Sequence, residues 1–177
     1  SVADLGEGTH TIKVRAKDGA GNWSAVSSVN VTVAPAIYYS TVGNANPPGV
    51  AGTADDADLY LWSGSAHSRS IDLSAAPYNV PAGANVDGFD RVSATEFYVS
   101  FAGSVTLGGT TYGDEDVLRY QDGTRSLFFD GSARGLAAAQ DLDAISVVGG
   151  TLYFSTATNA NPPGAGGAAD DADVYRW

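Results

Sequence analysis

Three times along this chain two aspartates stand one residue apart: Asp56 and Asp58, Asp114 and Asp116, Asp171 and Asp173. A fourth pair, Asp141 and Asp143, opens a later β-prone segment and is matched upstream by Asn85 and Asp87. In a strand, residues i and i+2 point to one face. Carboxylates held side by side repel unless a cation or protons neutralise them. Hard oxygen ligands beside Asn and carbonyl-rich Gly/Pro loops suit calcium, which takes six to eight oxygens. The eight aspartates are therefore the candidate ligands and calcium the candidate cofactor. A plainer reading stands beside this one: Asp at strand starts caps turns by accepting backbone N–H bonds, and the spacing is not that of an EF-hand.

Other chemistry finds less to work with. His10 and His67 are the only histidines and Glu is found at three positions, so acid–base machinery has few candidates. Three near-equivalent acidic copies would also make three sites rather than one. "KDGAGNW" (17–23) has the look of the Asp-box of sialidase-like propellers, but its Gly and Trp stand at the wrong offsets from Asp18. No enzyme is expected. Tyr60 with Trp62, and Tyr175 with Trp177, offer rings that could stack on sugars; packing against a neighbouring unit is the alternative use of such aromatics.

The elements that must carry these residues repeat. Tyr38–Trp62 laid over Tyr153–Trp177 gives 17 identities in 25 positions without a gap. A weaker copy lies between, where "FYVSF" (97–101) answers "IYYST" and "LYFST", and "DEDVLRY" (114–120) answers "DADLYLW" and "DADVYRW". The first Asp of each triplet falls at 56, 114 and 171, a period of 58 and then 57 residues. Each unit divides into four short strands, exemplified by "RSLFFDG" (125–131), "LDAISVV" (142–148), "TLYFSTA" (151–157) and "DADVYRW" (171–177). "GG" at 149–150 suits a hairpin turn, and "RGLAAAQDL" (134–142) could make one helical turn. The expected fold is all-β: four-stranded antiparallel units arranged as in a β-propeller, or alternatively a stacked β-sandwich array. The long connections at 41–54, 101–113 and 156–169 should share one side of the molecule.

Residues 1–35 stand outside the period. "LGEGTHTIKVRAKDGAGNWSAVSSVNVTV" (5–33) resembles the closing strands of bacterial immunoglobulin-like or fibronectin type III-like modules. Residues 36–177, with strings such as "LGGTTYGDEDVLRY" and "LFFDGSARGL", resemble acidic repeats of very large secreted or surface proteins of bacteria. That resemblance implies an extracellular or cell-surface setting and no assigned reaction. "NVDGFDRV" (85–92) departs from the later "DLDAISVV", which puts any site built there in doubt.

Composition narrows the partners. With 20 acidic and 9 basic side chains the net charge is −11, so neither nucleic acid nor an anionic membrane is expected as a partner, since both call for Lys and Arg to neutralise phosphates. The 44% apolar content is too high for disorder. Without Cys there is neither a disulfide framework nor a thiolate zinc site. No apolar run approaches the ~20 residues of a membrane helix. The lack of Met, even at position 1, suggests a processed or excised piece of a longer chain. Both ends read as unfinished: an orphan hairpin at one, a unit cut at its third strand at the other. Unpaired edges template further pairing, and "HTIKVRAK" (10–17) supplies a basic edge strand as donor. The expected role is a secreted bacterial structural or adhesive module, calcium-stabilised, self-assembling through strand complementation or joined to a neighbouring domain. A carbohydrate-binding module is the second hypothesis, and an extracellular hydrolase a remote third.

Overall fold

Strand-forming residues broken by Gly, Pro, Asn and Asp give strands and turns throughout the computed structural model, which describes residues 8–33, 36–138 and 140–177. Among these the only helical element is a short 3-10 turn at Ser132–Arg134. It precedes the stretch where a helical turn is expected, overlapping 134–142 only at Arg134, because Gly135, at φ +88°, ends it at once. The described chain divides into two compact units. One runs to Ile37 and takes in Trp62–Ala66; the other holds Tyr38–Leu61 and His67–Trp177.

The first unit contains β1 (Gly8–Val14) and β2 (Ser27–Val33), an antiparallel pair in which Gly8 faces Val33 and Ile12 faces Val29. This sheet has two strands only. Leu5–Glu7 of the immunoglobulin-like stretch lie outside the described residues. "KDGAGNW" folds as a turn: Asp18 Oδ1 accepts the N–H groups of Ala20 and Asn22, and Arg15 lies over the Trp23 ring.

The second unit carries three further sheets and a small hairpin. The first sheet is β3 (Ile37–Tyr39), β4 (Asp58–Trp62) and β5 (His67–Asp72), in that order. The second is an antiparallel meander of β6 (Val86–Arg91), β7 (Glu96–Phe101), β10 (Val117–Gln121) and β11 (Thr124–Phe129). Between β7 and β10 the hairpin β8 (Val105–Leu107) and β9 (Thr110–Tyr112) occupies what the sequence suggests is loop. Its turn is Gly108–Gly109, with φ +60° and +84°, values that favour glycine. The third sheet is β12 (Ala144–Val148), β13 (Thr151–Ser155) and β14 (Tyr175–Arg176), with β13 in the middle. Among the described residues no sheet closes into a barrel.

Period-2 alternation distributes side chains to two cores. On β7, Phe97, Val99 and Phe101 enter a cluster with Leu59, Leu73 and Val80 from the first sheet and its following loop. Tyr98, from the same strand, joins Val117 and Phe129 in a second cluster with Leu142, just ahead of β12, and Ile145, Leu152 and Phe154 of the third sheet. Sheet two is thus apolar on both faces, as a layer covered on both sides must be. Each fully buried Leu, Val or Phe contributes about 1.5–3 kcal/mol over its exposed state.

Candidate functional site

The Asp-x-Asp triplets form turns at the entries to strands instead of lying along them as the spacing suggests, and of their aspartates only Asp58, the first residue of β4, is itself in a strand. In the first copy the Asp58 N–H donates to the Asp55 carbonyl, closing a turn, while Asp58 Oδ2 accepts the Asp55 N–H. In the second, the Asp116 N–H donates to the Gly113 carbonyl and Asp116 Oδ2 accepts the Gly113 N–H at 2.9 Å. Asp116 Oδ1 also accepts the Gly131 N–H. The second Asp of each of these triplets therefore satisfies backbone donors that a turn leaves open.

Asp58 is completely buried. Burial pushes its carboxyl above the usual range, opposed by the Asp55 N–H, the Tyr60 hydroxyl and the Arg69 guanidinium. Arg69 Nη2 lies 3.1 Å from Asp58 Oδ2 and reaches Asn46 Oδ1 and the Thr53 carbonyl, stapling the duplicated loop to the sheet. Burial likewise raises Asp116, against the N–H groups of Gly113 and Gly131.

In the first two triplets the first Asp does something different: its main chain joins one sheet to the next. The Asp56 carbonyl accepts the Val86 N–H at 3.2 Å, and the Asp114 carbonyl accepts the Leu142 N–H at 3.1 Å. The same two apolar residues are held from their other side. Ser40 Oγ donates to the Val86 carbonyl, and Ser100 Oγ to the Leu142 carbonyl. The first two sheets thus each grip one residue at the entry to the next, Val86 or Leu142, by both N–H and C=O.

A carboxylate cluster surrounds the second of these grips. Asp87, at the start of β6, faces Asp141, just ahead of β12. Ser100 Oγ donates to Asp87 Oδ1 at 3.0 Å, but Asp87 Oδ2 and Asp141 Oδ1 are shielded from solvent and lack a donor. Two acceptors meet, and one proton would turn the clash into a hydrogen bond. Burial first, then the Asp141 carboxyl, raises Asp87 to about 8. Asp141 is raised too, by burial and by the charges of Asp114 and Asp143. Glu115, almost completely buried, is pushed up mainly by burial, with the neighbouring Asp114 and Asp116 carboxyls acting in the same direction, and its Oε2 faces no donor.

Of the eight candidate ligands, Asp114, Asp141 and Asp143 therefore share one neighbourhood, with Asp87 and Glu115. Asp56 lies at the first grip, its Oδ1 buried and without a partner, as is that of Asn85. Asp171 and Asp173 are exposed, and Asp173 meets only the Tyr175 hydroxyl, at 3.3 Å. Among the described residues no three of His, Cys, Asp and Glu are placed to hold a metal ion.

No family model, curated protein or solved structure matches this chain.

Sequence reasoning left Glu115 and Arg69 unassigned and kept Asp87 out of the ligand set. It also passed over the serines, although Ser40, Ser100 and Ser155 recur at one place in "IYYST", "FYVSF" and "LYFST". Of the aromatic candidates, Tyr60 is completely buried, its hydroxyl donating to Asp58 and Asn46, so it cannot stack on a sugar. Trp177 is 42% exposed and lines a cleft of about 370 Å³ with Arg134, Pro162 and Pro163.

Proposed function

We propose that this chain is a secreted bacterial structural or adhesive module built of β-propeller-like units, stabilised by calcium and assembling through its strand edges into a filament or surface layer. The observation that carries this reading is the repeated grip. Ser40 with Asp56 holds Val86, Ser100 with Asp114 holds Leu142, and the third sheet keeps Ser155 and Asp171 at the same repeat positions. A propeller and a stacked sandwich array both use such face-to-face layers; the repeat period near 57 residues favours the propeller.

Calcium enters through the orphan oxygens. Asp87, Asp141 and Asp114 bring anionic oxygens to one junction, and two of them face no donor. A divalent cation would replace the shared proton there, with rearrangement to complete its oxygen shell. Assembly and metal are tested together by light scattering and negative-stain imaging across protein concentration, in chelator and in added calcium. Filaments or sheets that depend on calcium support the reading. A monodisperse monomer with one melting temperature in all conditions removes it.

The cleft at Trp177 favours a second reading, a carbohydrate-binding module, because an exposed indole beside Arg134 and two prolines suits a sugar ring. Glycan-array binding lost in Trp177→Ala is the discriminating result.

A further inference from the structure

Sheet three is finished chemically on one face and bare on the other. Val174 stands where Leu59 and Val117 stand in the earlier units. Those two are completely buried, whereas Val174 is 72% exposed. Tyr153 corresponds to Tyr98; they are 38% and 4% exposed. At the earlier positions the covering layer is the next sheet of the chain, gripped at Val86 or Leu142.

The polar half of the grip is set up as well. Ser100 Oγ shares its one proton between Asp87 Oδ1 within its own sheet, at 3.0 Å, and the Leu142 carbonyl of the next, at 2.8 Å. Ser155 Oγ already makes the first of these bonds, to Asp143 Oδ1 at 2.7 Å. The Asp171 carbonyl holds the place of the Asp56 and Asp114 carbonyls. Val174, Tyr153, Ser155, Asp143 and Asp171 thus reproduce, on exposed ground, a surface that is covered twice within the molecule.

We propose that the outer face of sheet three is the docking site for one further β-unit that opens on an Asn/Asp–Val/Leu–Asp strand, as residues 85–87 and 141–143 do. The partner's chemistry follows from the two filled junctions. Its apolar residue fills the space over Val174, its N–H meets the Asp171 carbonyl, and its carbonyl meets the Ser155 hydroxyl. The preceding residue comes up against Asp143, as Asp141 comes up against Asp87, so Asn or a protonated Asp fits there. A second copy of this chain offers no free strand of that pattern, since Val86 and Leu142 are both buried in its own junctions. The proposal rests on the repeat reading above, but not on filament formation.

The repeat itself supplies the test. Trp62 and Trp177 are equivalent, so a copy of residues 63–131 fused after Trp177 continues the full chain in register and presents a second copy of residues 85–87 to sheet three. Backbone hydrogen exchange at 151–155 and 174–176 should slow by about tenfold or more in the extended chain. Val174→Ser should lower its melting temperature by several degrees while leaving the starting chain nearly unchanged. Equal effects of Val174→Ser in the two chains overturn the proposal. So does an appended segment that exchanges at unprotected rates, because docking on sheet three is what should fold it. A starting chain that dimerises until Val174 is replaced also overturns it, by making the face a self-contact. Loss of filaments with protected exchange retained would count against the proposed function and leave this docking intact.

Discussion

Replacing Asp87 by Asn should flatten the dependence of stability on pH. With the Asp87 carboxyl held near 8 and an unfolded value of 3.8, the folded state binds a proton that the unfolded state releases across that window. The resulting stabilisation is fully present below about pH 4 and is lost as pH rises through about 8. One proton corresponds to about 1.4 kcal/mol per pH unit, or about 5 °C in melting temperature for a unit of this size. Asn is neutral throughout, can accept from Ser100 and the Gly88 N–H as Asp87 does, and can donate to Asp141. The groups facing the pair are Ser100 on β7 and the Asp114 and Asp143 carboxyls, with no cation among them. Burial also raises Asp58, Glu115 and Asp116, which gives a residual slope of the same sign in the variant. Asp72 and Asp130 are lowered, by the Ser74 hydroxyl and the Ala133 N–H respectively, so their contributions fade only in more acidic solution. Urea titrations from about pH 5 to about pH 8 in chelator therefore isolate the effect. Asp87→Asn should match the parent at the acidic end and exceed it at the alkaline end. Parallel pH profiles for the two proteins would show that Asp87 and Asp141 do not share a proton.

Further outcomes follow from single contacts. Arg69→Met leaves the buried Asp58 without its cation and should cost about 3 kcal/mol in urea unfolding; adding Asp58→Asn should recover part of it, and strictly additive losses would refute the coupling. Gly88→Ala places a Cβ 2.2 Å from Ser100 Oγ and 3.2 Å from the Ile145 side chain, so a loss of about 1–3 kcal/mol is expected by thermal melting. Tyr60→Phe removes a hydroxyl bonded to Asp58 and Asn46 and should cost about 1 kcal/mol without changing the aromatic contact to Tyr39, checked by denaturant midpoint.

Much of the architecture is legible in the residues. Alternating apolar positions, the Gly149–Gly150 turn and the recurring aromatic–serine strands place β7, β12 and β13 within a few residues of their positions. The acidic triplets mislead because strand and turn both begin with Asp. Only the i−3 backbone partner, Asp55 or Gly113, decides between them. The hairpin at 105–112 is hidden by the same ambiguity, since "VTLGGTTY" reads as loop until Val105 and Leu107 find the core beneath it. The Asp87–Asp141 encounter is a tertiary event between two sheets, and no local pattern announces it. The serines do leave a signal: a polar residue recurring at the end of an apolar strand has a bond to make.

The duplicated stretch separates what a sequence dictates from what its surroundings add. Both copies pin the loop alike: Asn46 Nδ2 donates to the Gly52 carbonyl, and Asn161 Nδ2 to the Gly167 carbonyl. Both set an Asx contact ahead of the triplet, Asp55 to the Ala57 N–H and Asp170 to the Ala172 N–H. Those local bonds do not fix burial, for Asp58 is completely enclosed and Asp173 is exposed. The difference lies in neighbours: Asp58 has Arg69 from β5, a strand with no counterpart beside β14, and Leu59 has a sheet over it where Val174 has none. An aspartate that is a buried ion-pair partner in one copy is a solvated turn residue in the other. The identity of the segment therefore specifies a loop and a grip, and the next layer of sheet determines whether the grip closes.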